Sequence, residues 1–219
     1  MVQPCFCCRG GYSTAMNAKQ KQSILKRWGI TEEELTELVE QNPSLRGILL
    51  GYVAEKKFHD DFLDDPDISE KSKDDDHNRK LKGDRRIVFK GAPFTIEVKS
   101  LQTNLVQRLG EDIWVGKAQV DASDSRFVPF PNGTKLKTTC LLRGEFDILA
   151  VSCFAFGEKW RFAFALNEEL PTNTYKKYSP YQRKHLLPTL IKIEWPLKPP
   201  FTDNPFKLLN KILKRKNKK

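Results

Sequence analysis

The stretch GDRRIVFKGAPFTIEVKS, residues 83–100, holds three residues whose types and spacing can do chemistry: Asp84, Glu97 and Lys99. Glu97 and Lys99 lie two apart in the apolar run FTIEVKS, and alternation along a strand puts i and i+2 on one face. A carboxylate and an ammonium therefore project side by side, while Ile96 and Val98 point the other way, into a core. Ile87–Phe89 reads as a preceding strand and Lys90–Pro93 as a turn. This hairpin returns Asp84 to the Glu97–Lys99 end. Two carboxylates there suit Mg²⁺, a hard cation that takes oxygen ligands and keeps several waters. Such an ion polarises a phosphoryl oxygen and activates water. The lysine orients that water or stabilises charge on the phosphorane. A Glu-x-Lys pair is also common as a plain structural salt bridge. The acid thirteen residues upstream and the basic character of the chain give the chemical reading its weight.

That basic character is pronounced. In 219 residues there are 38 Lys or Arg against 28 Asp or Glu, a formal charge of +10 and a pI near 9.3. Such an excess favours a polyanionic partner, nucleic acid or an anionic membrane surface. No run of about 18 apolar residues exists, so a membrane span is excluded as a reading. The start, MVQPCFCCRGGYSTAMNAKQKQ, lacks the basic flank and long apolar stretch of a secretory signal. Five cysteines, at 5, 7, 8, 140 and 153, are not a disulfide framework in a chain this long. A cytoplasmic protein is expected. Cys5, Cys7 and Cys8 suggest zinc, but no second close pair completes a site, and a loosely ordered end explains them better.

The elements that must position the trio can be read from pattern. Residues 18–29 suit a short helix. Thr31 to Glu34 is a capping box opening a second helix that Asn42-Pro43 ends. A third helix starts at Ser44, with Ile48, Tyr52, Phe58 and Phe62 at helical spacing. Glu55 falls in that stripe, either inward with a partner or metal, or at the rim in solvent. Residues 64–83 are a dense charge run, a solvated loop; His77 and Asp74–Asp76 within it lack a metal-ligand spacing. Residues 101–109 suit a helical turn, 114–121 a strand, and 127–137 a loop or hairpin around Asn132-Gly133. FDILAVSCFAF, 146–156, reads as a central strand and 159–166 as a half-buried antiparallel one. The organisation expected is a helical lead-in over 1–43, a core over 44–170 and a basic C-terminal extension over 171–219.

The hairpin pattern resembles the PD-(D/E)XK nuclease superfamily: an acid, a variable gap, then Glu-x-Lys on the next strand. Gly83 stands where a proline is usual. The resemblance covers roughly residues 45–165. It implies an α/β fold, a central mixed sheet flanked by helices in the order αβββαβ. It adds Glu55 in GYVAEKKF as a third acid and metal ligand beside Asp84 and Glu97, and Gln119 in GKAQVD as a further catalytic residue. Within the superfamily, GKAQVDASDSR and RGEFDILAVSCF resemble segments of small type II restriction endonucleases. That implies a Mg²⁺-dependent (Mn²⁺ substituting) enzyme that cuts double-stranded DNA as a homodimer, with a companion DNA methyltransferase encoded nearby.

Around this centre, Arg85, Arg86 and Lys90 are expected to line a DNA cleft. Arg126 either contacts a phosphate or guanine edge or pairs with Asp124. Lys176, Lys177, Arg183 and Lys184, interleaved with Tyr175, Tyr178 and Tyr181, read as a backbone-binding or stacking surface. Asp147 reads as a strand-start acid bonded to nearby backbone, or a carboxylate behind the site. Two other functions fit the same residues: a repair or recombination nuclease that reads DNA structure, and a non-catalytic DNA-binding protein.

Overall fold

The computed structural model describes residues 22–73 and 84–216. The expectations on Cys5, Cys7, Cys8, His77 and Asp74–Asp76 fall outside them. The chain divides into two compact units, Met1–Arg46 and Gly47–Lys219.

The first unit holds α1 (Ile24–Trp28), α2 (Glu32–Gln41) and the start of α3 (Pro43–Phe58). The capping box forms as its sequence dictates: Thr31 Oγ1 accepts from Glu34 N at 3.1 Å and Glu34 Oε2 accepts from Thr31 N at 2.8 Å. Neither α1 nor α2 has a buried residue.

The second unit is mixed α/β. After α3, which ends in a wider turn over His59–Leu63, come β1 (Ile68–Lys73), β2 (Arg85–Phe89) and β3 (Ala92–Ser100). Then follow β4 (Gln107–Gly110), β5 (Ile113–Gln119), β6 (Asp121–Pro129), β7 (Lys135–Cys140), β8 (Ile148–Ser152) and β9 (Phe162–Leu166). Helix α4 (Pro180–His185), β10 (Leu190–Trp195) and α5 (Pro205–Lys216) complete it.

The central sheet runs β1-β2-β3-β8-β9, with β3 parallel to β8 and the other pairs antiparallel. Every residue of β8 and β9 is buried, as expected of strands covered on both faces. One face carries Phe94, Ile96, Ile148 and Phe164, packed with Phe58 of α3 and Leu208 and Leu209 of α5. The other carries Leu149, Val151, Ala163 and Ala165, packed against Ala118, Ile191 and Ile193 of a second sheet, β10-β5-β4. Gly116 on β5 is required by that packing: a Cβ there would stand 2.9 Å from the Phe156 ring.

Four expectations change. The order αβββαβ does not hold in its second helix. The crossover from β3 to the parallel β8 contains strands β4 to β7 and a single 3-10 turn, Thr103–Leu105, with no α-helix. The charge run contributes a strand: β1 pairs antiparallel with β2 through main-chain bonds that need no apolar side chains, and its charges suit a sheet edge. In α3 the buried residues are Ala54 and Phe58, while Ile48 and Tyr52 are 59% and 50% exposed. Last, 171–219 is not an appendage in its packing. β10 pairs with β5 along its whole length, and Leu208 and Leu209 enter the core.

Candidate active site

The hairpin β2–β3 brings the trio together. Pairing of Arg85 with Ile96 sets Asp84 beside the Glu97–Lys99 end. Asp84 Oδ2 accepts from Val98 N at 2.8 Å, so the acid is fixed to the main chain between the other two residues. Lys99 Nζ lies 2.6 Å from Glu97 Oε1 and 3.9 Å from Asp84 Oδ2. Phe94, Ile96 and Val98 are buried on the opposite face and anchor the strand.

Glu97 is 7% exposed. Burial pushes its carboxyl up to about 7; Lys99 opposes this and Asp84 and Glu145 add to it. For Lys99, burial disfavours the ammonium, but Glu97, Asp84 and Asp121 outweigh it, and the pKa is raised above the ordinary lysine value. Lys99 is therefore a fixed cation at neutral pH, suited to donating hydrogen bonds and not to removing a proton.

Among the described residues, no three His, Cys, Asp or Glu side chains converge as a ready-made metal cluster. The donor set still fits Mg²⁺, which is commonly bound by one or two carboxylates with water completing its shell. Asp84 and Glu97 share one lysine and offer hard oxygen donors.

The other expected residues have their own neighbours. Glu55 Oε2 meets Arg85 Nη2 at 3.4 Å, with side chains 17% and 11% exposed. The carboxylate is thus turned inward with a cationic partner, and Arg85 is largely enclosed. Gln119 accepts a hydrogen bond from Gln102 Nε2 in a cavity of about 340 Å³, also lined by Ser100, Phe154 and Trp160. Lys90 is at the turn, the far end of β2 from Asp84, with Nζ 3.2 Å from Asp67 Oδ2. Arg86 lines a separate hollow with Lys71, Thr95 and Asp147. Asp147 Oδ2 accepts from Thr95 N at 2.8 Å, bonded to backbone. Lys176, Lys177 and Lys184 are exposed and Arg183 partly so, around Tyr175, Tyr178 and α4.

Two residues that pattern reading did not assign to the site act on it electrostatically: Asp121 on Lys99 and Glu145 on Glu97. Glu145, its side chain 5% exposed, holds Arg126 Nη2 at 2.6 Å. The signal in the sequence was the pair of acids in QVDASDSR and RGEF, which only the crossover folds back onto β3. No protein-family model matches the chain, and neither the curated proteins nor the solved structures contain a match to it.

Proposed function

We propose that this chain is a divalent-metal-dependent endodeoxyribonuclease of the PD-(D/E)XK kind, acting on double-stranded DNA as a sequence-specific restriction endonuclease. One observation carries the reading. Lys99 lies within 4 Å of two carboxylates, Asp84 and Glu97, at the open end of a hairpin whose reverse face is locked into the core. A structural ion pair needs one acid. A second acid pinned by Val98 N beside the same lysine is the arrangement that metal-assisted phosphodiester hydrolysis uses.

Asp84 and Glu97 are the residues to hold Mg²⁺, which supplies Lewis-acid polarisation of the phosphoryl oxygen and a more acidic water when bound. Lys99 contributes a held positive charge. It donates to the attacking water or to the phosphorane oxygens as the new P–O bond forms and the bond to the leaving oxygen breaks. Glu97 holds the ammonium in place. The chain's charge of +10 supports a polyanionic substrate.

The test is a plasmid digest by wild type with Mg²⁺, beside Glu97→Ala, Lys99→Ala and an EDTA control. Discrete fragments from wild type alone are expected. Cleavage confined to junctions, flaps or mismatches would replace restriction by a repair function. Binding without cleavage of any substrate would overturn the catalytic reading.

A further inference from the structure

The hairpin β6–β7 is a two-stranded sheet by itself, with one face packed and one face open. Inward, Val128, Phe130 and Cys140 are buried against Leu186, with Tyr178 and Leu136 beside them. Phe130 meets the Tyr181 and His185 rings of α4 edge-on, and Thr138 Oγ1 is 2.9 Å from Tyr178 Oη. The ribbon is therefore rigidly backed. Its turn is closed by Phe130 N donating to Thr134 O at 2.8 Å, with Gly133 at φ 80°, where a side chain would be strained.

The outward face holds an anomaly. Phe127 is 70% exposed, the most exposed large apolar residue among those described. Register places it directly opposite Lys137, with Pro129 opposite Lys135, and both lysines are exposed. Directly paired residues of an antiparallel ladder share a face. One surface thus presents an aromatic ring and two lysines, Lys137 directly across from the ring and Lys135 across from Pro129. At the base, β6 carries a bulge: five steps from Asp121 to Arg126 oppose two from Cys140 to Thr138. The bulge turns Ser123, Asp124 and Ser125 to solvent. Asp121, which starts the strand, acts on Lys99.

We infer that the outer face of β6–β7 is the groove-reading element for double-stranded DNA, with Phe127, Lys135 and Lys137 as its contact residues. This rests on the nuclease reading above. The B-form major groove admits a two-stranded β-ribbon, whereas the deep, narrow major groove of duplex RNA does not. The paired segment Arg126–Pro129 is about 13 Å long at a strand's rise, enough to lie along such a groove. The apolar ring then has a partner in the thymine methyl groups that the major groove presents.

The test is fluorescence anisotropy with labelled duplex DNA, titrated with KCl, in a Glu97→Gln background that prevents cutting. Phe127→Ala is expected to weaken binding about tenfold. Lys135→Ala with Lys137→Ala is expected to lower the slope of log affinity against log salt by about 0.9 per lysine. Lys198→Ala, a surface lysine ion-paired to Glu194, leaves both unchanged. Thermal midpoints matching the parent establish that the variants are folded. If the parent binds DNA and the ribbon variants bind equally well with the same slope, the ribbon assignment falls and the nuclease reading stands. If the parent itself binds no DNA, both fall. Equal competition by duplex RNA would overturn the groove assignment alone.

Discussion

Arg126 on β6 reaches back to Glu145, its Nη2 2.6 Å from an oxygen of a side chain that is only 5% exposed. Leu142 N donates to the same carboxylate at 2.8 Å. Arg126 is thus fixed inside the fold at the bulge's end. Removing it leaves a buried carboxylate without its cation. Arg126→Ala is expected to lower stability by about 3 kcal/mol, the low end for a broken buried pair because Arg126 is about a third exposed. Urea unfolding measures this. Unchanged stability with weaker DNA affinity would restore the alternative of a phosphate or base contact.

Metal uptake is expected to depend on pH. A divalent ion needs the Glu97 carboxylate, and burial holds that group protonated up to about 7. Below pH 7, Mg²⁺ or Mn²⁺ affinity rises about tenfold per pH unit if one proton is displaced, and levels off above it. Calorimetric titration from pH 5.5 to 8.5 reads this directly. A flat profile would remove Glu97 from the ligand set.

The metal-free protein carries the opposite trend. The folded pKa of Glu97 lies above its unfolded value near 4.5. Its contribution to stability is therefore full below pH 4.5 and is lost as pH rises through about 7. In EDTA, the thermal midpoint of wild type falls between pH 5 and 8, and that of Glu97→Gln falls less. Parallel curves for the two proteins would contradict the buried environment of this carboxyl.

Phe58 couples α3 to the central sheet. Its ring centroid is 5.9 Å from that of Phe162 and 6.1 Å from that of Phe164, and it is 1% exposed. Phe58→Ala is expected to cost about 3–5 kcal/mol through lost burial and the cavity left behind. The midpoint of chemical denaturation is the readout. A cost below about 1 kcal/mol would mean the site collapses or that this packing is absent.

The site's core was legible because it is local. Asp84, Glu97 and Lys99 occupy one hairpin, and a period-two pattern with a turn is enough to place them on one end and one face. The capping box at Thr31–Glu34 was legible for the same reason: its bonds span three residues. The Lys90 position shows the limit of adjacency. Six residues from Asp84 in sequence, it stands past the other end of β2, a five-residue strand about 17 Å long.

Sequence by itself determined what short-range geometry determines: the hairpin, the acid–acid–lysine trio, the apolar strand at 148–152 and the positive charge. Tertiary structure alone decided the rest. Whether Glu55 faced solvent or turned inward depended on Arg85, thirty residues away, and the fold brings the two side chains together. Whether 101–147 crossed over by helix or by strands depended on which surface was left to cover. The second sheet covers it, because Ala118, Ile191 and Ile193 bury the face that Leu149 and Val151 expose. Asp121 and Glu145 come to act on Lys99 and Glu97 of β3 only through that crossover. Such partners are fixed by packing between distant segments, and residue spacing along a chain carries no record of it.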